Sequence, residues 1–328
     1  MSETITDEKI KDTVRQTYGN IARRFVEEPV ASSSEVVQHA SEQGSCCGPS
    51  PASGREPARS SCCGPSDASG DVTGAARFYS AEELTSLPDS VTDASLGCGN
   101  PLAIADLRQG EVVLDLGSGG GIDCFLAAKK VGPEGRVIGL DMTPDMIKLA
   151  RRNAKKLGFT NVDFRYGEME DMPLPDGSVD VIISNCVINL SPDKDAVFRE
   201  AYRVLHPGGR MSVSDIVVDG ELPQSIRERL DAWAGCIAGA LDEAVYLGKI
   251  RAAGFERVEV LSRDYASADE VLESEHVQVM VVGADGQVAE GDEARALLAS
   301  AKLSPRDLAH KIASIKVAAH KADLGQEE

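Results

Sequence analysis

Residues 112–128 read Val-Val-Leu-Asp-Leu-Gly-Ser-Gly-Gly-Gly-Ile-Asp-Cys-Phe-Leu-Ala-Ala. A short apolar run, a block of glycines and an apolar stretch at helical spacing follow one another without a break. That order predicts a buried strand, a tight turn and a helix. Glycines at such a turn let the backbone bend sharply and approach a ligand closely, beside the positive end of the helix.

Outward from this unit the same rhythm repeats. Apolar runs at 112–117, 136–141, 162–167, 179–184 and 210–215 read as buried strands, separated by helical patterns at 122–131, 144–157 and 194–205. Alternation of this kind predicts an α/β fold with a doubly wound, mainly parallel sheet. A helix at roughly 224–240, a helix and strand at 244–261 and a strand at 312–319 are expected to complete it, seven strands in all. Residues 262–311 read as a hairpin and helix inserted before the last strand. At the other end, Ile10, Val14, Ile21 and Phe25 give residues 7–27 the pattern of an amphipathic helix.

The glycine block is selective about its ligand. The third glycine of a dinucleotide fingerprint falls at Ile122, so that pattern fails. Asp115, just before the glycines, repels a pyrophosphate and suits an amino-acid ammonium. Asp141 ends the second strand, where an acid can accept from both hydroxyls of a ribose.

Composition narrows the function classes. The formal charge is −19 and aromatic residues make up 4% of the chain. Nucleic-acid backbones and anionic lipid surfaces are therefore poor partners, and the acidity is read as serving solubility. No stretch approaches the roughly 20 apolar residues of a membrane span. The N-terminus lacks a signal-peptide pattern, which predicts a cytoplasmic protein in which thiols stay reduced. Eight cysteines in that setting call for soft-ion binding or redox chemistry.

Four of these cysteines lie in a distinctive segment. Residues 38–71 contain no Val, Ile, Leu, Met, Phe, Tyr or Trp, so they are expected to form a flexible linker without a core of its own. Within it SCCGPSPASG (45–54) is repeated as SCCGPSDASG (61–70), which places Cys46 and Cys47, then Cys62 and Cys63, as vicinal pairs. The expected organisation is an N-terminal helical segment (1–36), a Cys-rich linker (37–75), a cofactor-binding domain (76–220) and a C-terminal capping region that completes the sheet (221–328).

GEMEDMPLPDGSVDVIIS (167–184) and VLHPGGRMSVSD (204–215) follow the glycine loop in order. Together these segments resemble the motifs of class I S-adenosylmethionine methyltransferases over residues 111–215. The resemblance implies S-adenosylmethionine as cofactor, bound by Asp115, Gly117, Ser118, Gly119, Gly121, Asp141 and Met142, with Met169 and Glu170 flanking or bonding the adenine.

Three further cysteines sharpen the comparison: Cys98 in SLGCGNP (95–101), Cys186 in SNCVINL (184–190) and Cys236 in AGCIAGAL (234–241). Cys186 follows the fourth strand, at the sheet edge where open α/β folds bind ligands. With the motifs between them these strings resemble arsenite S-adenosylmethionine methyltransferases over about residues 78–260, and Tyr18-Gly19 and Phe78-Tyr79 are similar to that family's pattern. The resemblance implies that Cys186 and Cys236 bind As(III), and that Cys98 gives a third thiolate or pairs with an N-terminal cysteine. That family has one functional N-terminal cysteine, where this chain offers Cys46, Cys47, Cys62 and Cys63 as relay thiols. It also implies an external reductant of thioredoxin or glutathione type, arsenite or its thiol conjugates as substrate, and no metal besides arsenic. A monomer is expected.

The chemistry is coherent with the residues. As(III) is soft and prefers sulfur. Its lone pair attacks a sulfonium methyl without losing a proton, so no general base is needed, in keeping with only five histidines. Two other readings stay open at this level. A quinone or other small-metabolite methyltransferase of the same fold explains the cofactor motifs but not the three cysteines. A metalloid-binding or redox-sensing protein explains the cysteines but not the acids. Cys124, inside the first helix of the sheet, reads as a small buried hydrophobe.

Overall fold

The computed structural model describes residues 6–26, 75, 78–95, 97, 99–103, 105–221, 238–265 and 311–323. These belong to one unit, residues 1–27 and 72–328; residues 28–71, the second unit, lie outside the described residues. So do Cys46, Cys47, Cys62, Cys63, Cys98 and Cys236, and the helix expected at roughly 224–240 lies almost wholly outside them.

Seven strands form one sheet in the order β3-β2-β1-β4-β5-β7-β6. In chain order they are β1 (Val112–Leu116), β2 (Arg136–Asp141), β3 (Val162–Tyr166), β4 (Val179–Asn185), β5 (Leu205–Val218), β6 (Glu256–Tyr265) and β7 (Ile312–His320). The first five are parallel. β7 runs antiparallel to both of its neighbours, which gives the sheet its mixed character. The strands β1, β4 and β5 are almost continuously buried, as expected for a sheet covered on both faces.

Among the described residues, α4 (Ile122–Val131) and α5 (Pro144–Leu157) occupy the positions expected of them. Glycines bound both: Gly121 and Gly132 cap α4, and Gly158, in the left-handed conformation, ends α5. Helix α1 (Asp7–Val26) packs along α5 through Ile21, Ala22, Met146 and Leu149. Two short helices, α2 (Ala81–Thr85) and α3 (Asp89–Thr92), precede β1. α6 (Lys194–Val204) and α7 (Glu243–Ala252) follow β4 and β5.

Two stretches differ from expectation. β5 begins at Leu205 rather than at 210: Leu205 pairs with Val179, the His-Pro-Gly-Gly segment bulges out with Gly208 at φ 78°, and pairing resumes at Arg210 opposite Val181. Residues 262–265 extend β6 instead of opening an insertion. No helix among the described residues is long and apolar enough to cross a membrane.

The larger core cluster lies between the sheet and α6 and α7. Phe198 is fully buried there and meets Tyr246 edge-on, centroids 5.5 Å apart at 87°. The Tyr246 hydroxyl in turn donates to Asp215 at 3.0 Å. Removing the Phe198 ring leaves a cavity that rigid strands on one side cannot fill. Phe198→Ala is expected to cost about 3–5 kcal/mol, read as a lower urea midpoint; a loss below about 1 kcal/mol would show that the site collapses freely.

Candidate functional site

The strand order reverses between β1 and β4, and the carboxyl ends of β1, β2 and β4 share one edge of the sheet. A cavity opens there. Such a crevice is where open α/β sheets bind ligands.

The glycine loop forms its floor. Gly117 and Gly119 have φ of 66° and 50°, in the left-handed region that favours glycine. A Cβ on Gly117 would lie 2.6 Å from Val187 Cγ1, so a side chain is excluded there. Asp141 fixes the loop by accepting the Gly119 N–H at 2.9 Å and the Thr143 N–H at 2.8 Å. Asn153 on α5 donates to the Gly120 carbonyl at 3.1 Å. Beside these, Ser118 Oγ is buried, lines the cavity and has no hydrogen-bond partner among the described residues.

Buried carboxylates dominate the electrostatics. Asp115 is 2% exposed and accepts the Cys124 S–H at 3.2 Å. Withdrawal from water, then the neighbouring charge of Asp123, pushes its carboxyl well above the usual range, despite the Cys124 bond. Asp123, in the first turn of α4, is pushed up to about 6 by burial, with bonds from Tyr79 and Asn185 pulling the other way. Its Oδ1 accepts the Tyr79 hydroxyl at 2.7 Å, and Asn185 Nδ2 lies 3.3 Å from its Oδ2. Asp141 is raised by burial and pulled back by the two backbone bonds.

Asn185 also donates to the Gly99 carbonyl at 2.8 Å and accepts the Gly99 N–H at 3.2 Å. A Cβ on Gly97 would sit 2.4 Å from the Asn185 amide, and one on Gly99 would sit 1.9 Å from Ser214 Oγ. Glycines at both positions therefore allow this backbone to lie against the ends of β4 and β5.

Cys186, the next residue, has φ of 61°, which is uncommon for a side chain of its kind. Its N–H donates to the Ser214 carbonyl at 2.7 Å, which fixes this turn to β5. The residue is 5% exposed, lines the cavity and is disulfide-bonded. The other half of that bond lies outside the described residues.

One cavity thus gathers Asp115, Gly117, Ser118, Gly119, Asp141, Met142, Met169, Glu170 and Cys186. Gly121 stands apart from the lining: it caps α4 at φ 99°, with Phe125 and Phe164 where a Cβ would go. Cys124 is buried as expected and adds the bond to Asp115. Asp123, Asn185 and Lys11 also line the cavity, and nothing in their sequence context marks them for it. An acid in the first turn of a helix reads as an ordinary partner of the helix dipole, and only tertiary structure aims it inward.

The sheet order and the glycine loop with its acids define the class I methyltransferase architecture. A family model described as a methyltransferase domain matches residues 107–282, more than half the chain. The chain is 49% identical over 195 residues to an arsenite methyltransferase of Halobacterium salinarum, covering 59% of this chain and 50% of that one. To the human arsenite methyltransferase it is 40% identical over 169 residues, 49% of this chain and 44% of that one. A crystal structure of an arsenic(III) S-adenosylmethionine methyltransferase from Chlamydomonas reinhardtii superposes with a TM-score of 0.58 at 34% identity, over 78% of this chain and 76% of that one. The chain belongs to the arsenite S-adenosylmethionine methyltransferase family. It spans about half the length of the curated relatives it matches.

The raised carboxyl of Asp115 has a measurable consequence. An ammonium group placed beside it favours ionisation, so binding of S-adenosylhomocysteine is expected to release protons. The calorimetric heat then varies with the ionisation enthalpy of the buffer, affinity rises with pH, and Asp115→Asn removes both effects. A heat independent of buffer in the wild type would contradict this electrostatic account.

Proposed function

We propose that the protein transfers a methyl group from S-adenosylmethionine to trivalent arsenic held by cysteine thiolates. The observation that carries this reading is the presence of Cys186 in the same cavity as the glycine loop and its acids.

The residues fit the cofactor. Asp115 offers a buried carboxylate to the amino-acid ammonium. Ser118 Oγ, without a hydrogen-bond partner among the described residues, is a polar atom that a ligand group can meet. The Asp141 oxygens each retain a lone pair beyond their backbone bonds, enough to accept from ribose hydroxyls. Met142 and Met169 give apolar, adaptable surface to an adenine, and Glu170 an acceptor. When bound, S-adenosylmethionine supplies an electrophilic methyl group on a sulfonium.

Cys186, which lines the same cavity, holds the substrate together with Cys236 and Cys98. Three thiolates leave trivalent arsenic pyramidal with its lone pair exposed, and the protein's task is to aim that lone pair and exclude water. Asn185, which directly precedes Cys186, contributes by holding the backbone of Gly99. Each transfer formally oxidises arsenic by two electrons. Two thiols closing to a disulfide return those electrons, and an external thiol of thioredoxin or glutathione type reopens the pair. The disulfide at Cys186 supports that a thiol here can cycle in this way. Cys46, Cys47, Cys62 and Cys63 are candidate relays. We place the reaction in the cytoplasm, with arsenite or its thiol conjugates as substrate and a monomer as the working unit.

Arsenic speciation after incubation with arsenite, cofactor and thiol is expected to show methylated arsenicals. Cys186→Ser is expected to lower turnover by about a hundredfold or more, with S-adenosylhomocysteine affinity kept within about twofold. Full turnover in that variant would exclude Cys186 from the arsenic site.

A further inference from the structure

Glu170 lines the cavity with its carboxylate in an asymmetric setting. Its Oε1 accepts the Ser191 hydroxyl at 2.7 Å and faces Lys11 Nζ at 3.2 Å. No group among the described residues bonds its Oε2. Two residues earlier, Glu168 receives Lys11 Nζ at 2.5 Å on one oxygen and Arg15 Nη2 at 2.5 Å on the other. Lys11 and Arg15 stand on α1, 157 and 153 residues from Glu168 in the chain. Thus a helix outside the sheet grips the loop after β3 from across the cavity mouth.

The charges are well suited to this grip. The side chains of Lys11 and Glu170 are only 14% and 12% exposed, so solvent and salt screen the pair less than a surface one. Burial alone would lower the Lys11 pKa, but its bonds to Glu168 and Glu170 outweigh that and raise it. The bond from Lys11 holds Glu168 below its ordinary range. Lys11 therefore stays charged beside both acids.

A free carboxylate rotates in a broad, two-fold torsional well and can turn either oxygen to a ligand. Two donors on Oε1 fix its plane and leave Oε2 as a pure acceptor. An exocyclic amine is a donor that such an oxygen accepts, whereas a carbonyl in the same place sets lone pair against lone pair. We propose that Lys11, acting with Ser191, is a positioning residue that holds Glu170 as an amine acceptor and thereby sets the cofactor site's preference for an amino-bearing base. The inference rests on the reading that Glu170 faces the nucleobase.

The test compares S-adenosylhomocysteine with its deaminated analogue, S-inosylhomocysteine, by calorimetry on the full chain at fixed salt. The wild type is expected to favour the amine, and Glu170→Gln to abolish that preference. Lys11→Met keeps the apolar stem and removes the charge. It is expected to narrow the preference about tenfold, chiefly by weakening the amino compound, while Lys11→Arg retains most of it. Ser191→Ala, which removes the second donor from the same oxygen, is expected to narrow it as well and serves if Lys11→Met does not fold. An unchanged preference in Lys11→Met, even with both affinities lowered, would overturn the proposal and leave Lys11 as a fastening for α1. An unchanged preference in Glu170→Gln would overturn the underlying reading too, and so separates the two failures.

Discussion

Carboxylates withdrawn from water at the end of a parallel sheet set the terms for the rest of this structure. Asp115 and Asp123 are buried within one network, and Asp141 stands partly buried beside them. Charge of one sign in such a place is costly unless protons, hydrogen bonds or a cation answer it. The Tyr79 hydroxyl, the Asn185 amide, the Cys124 thiol and the backbone N–H groups of Gly119 and Thr143 meet part of that demand. Asp115 lines the cavity, and in the proposed function the cofactor's ammonium meets what remains unmet there.

The same bonds tie the cofactor side of the cavity to the thiol side. Asn185 is shared between Asp123 on α4 and the backbone of Gly99, and it directly precedes Cys186. Cys186 is itself anchored to β5 by its N–H. Methyl transfer demands that donor and acceptor be aligned more finely than loops achieve unaided, since small misplacements slow such reactions severely. In the proposed function both partners meet at strand ends that one amide side chain cross-links, which supplies that alignment.

Much of the fold is legible in the sequence, for identifiable reasons. The limits of α4 and α5 are written in Gly121, Gly132, Pro144 and Gly158, residues whose backbone preferences are local. The five parallel strands announce themselves as apolar runs because both faces are covered. The start of β5 is hidden because His206-Pro207-Gly208-Gly209 carries turn residues that form a bulge inside the strand. The acids at the ends of β1 and β2 are legible because they stand beside the glycines they serve. The Tyr79–Asp123–Asn185 network is not, since its bonds join residues 44, 62 and 106 positions apart. Lys11 reads as one more lysine on an amphipathic helix until α1 is laid along α5. Cys186 is marked by sequence context, while its left-handed backbone emerges only in three dimensions.

In the proposed function cofactor and arsenic meet in one cavity, with Cys186 between the glycine loop and the substrate. Anomalous diffraction at the arsenic edge tests it most directly, using crystals of the reduced protein soaked with arsenite and S-adenosylhomocysteine. An arsenic peak bonded to Cys186 Sγ and facing the cofactor sulfur is expected. Arsenic bound only elsewhere, with Cys186 bare and the cofactor in place, would contradict it.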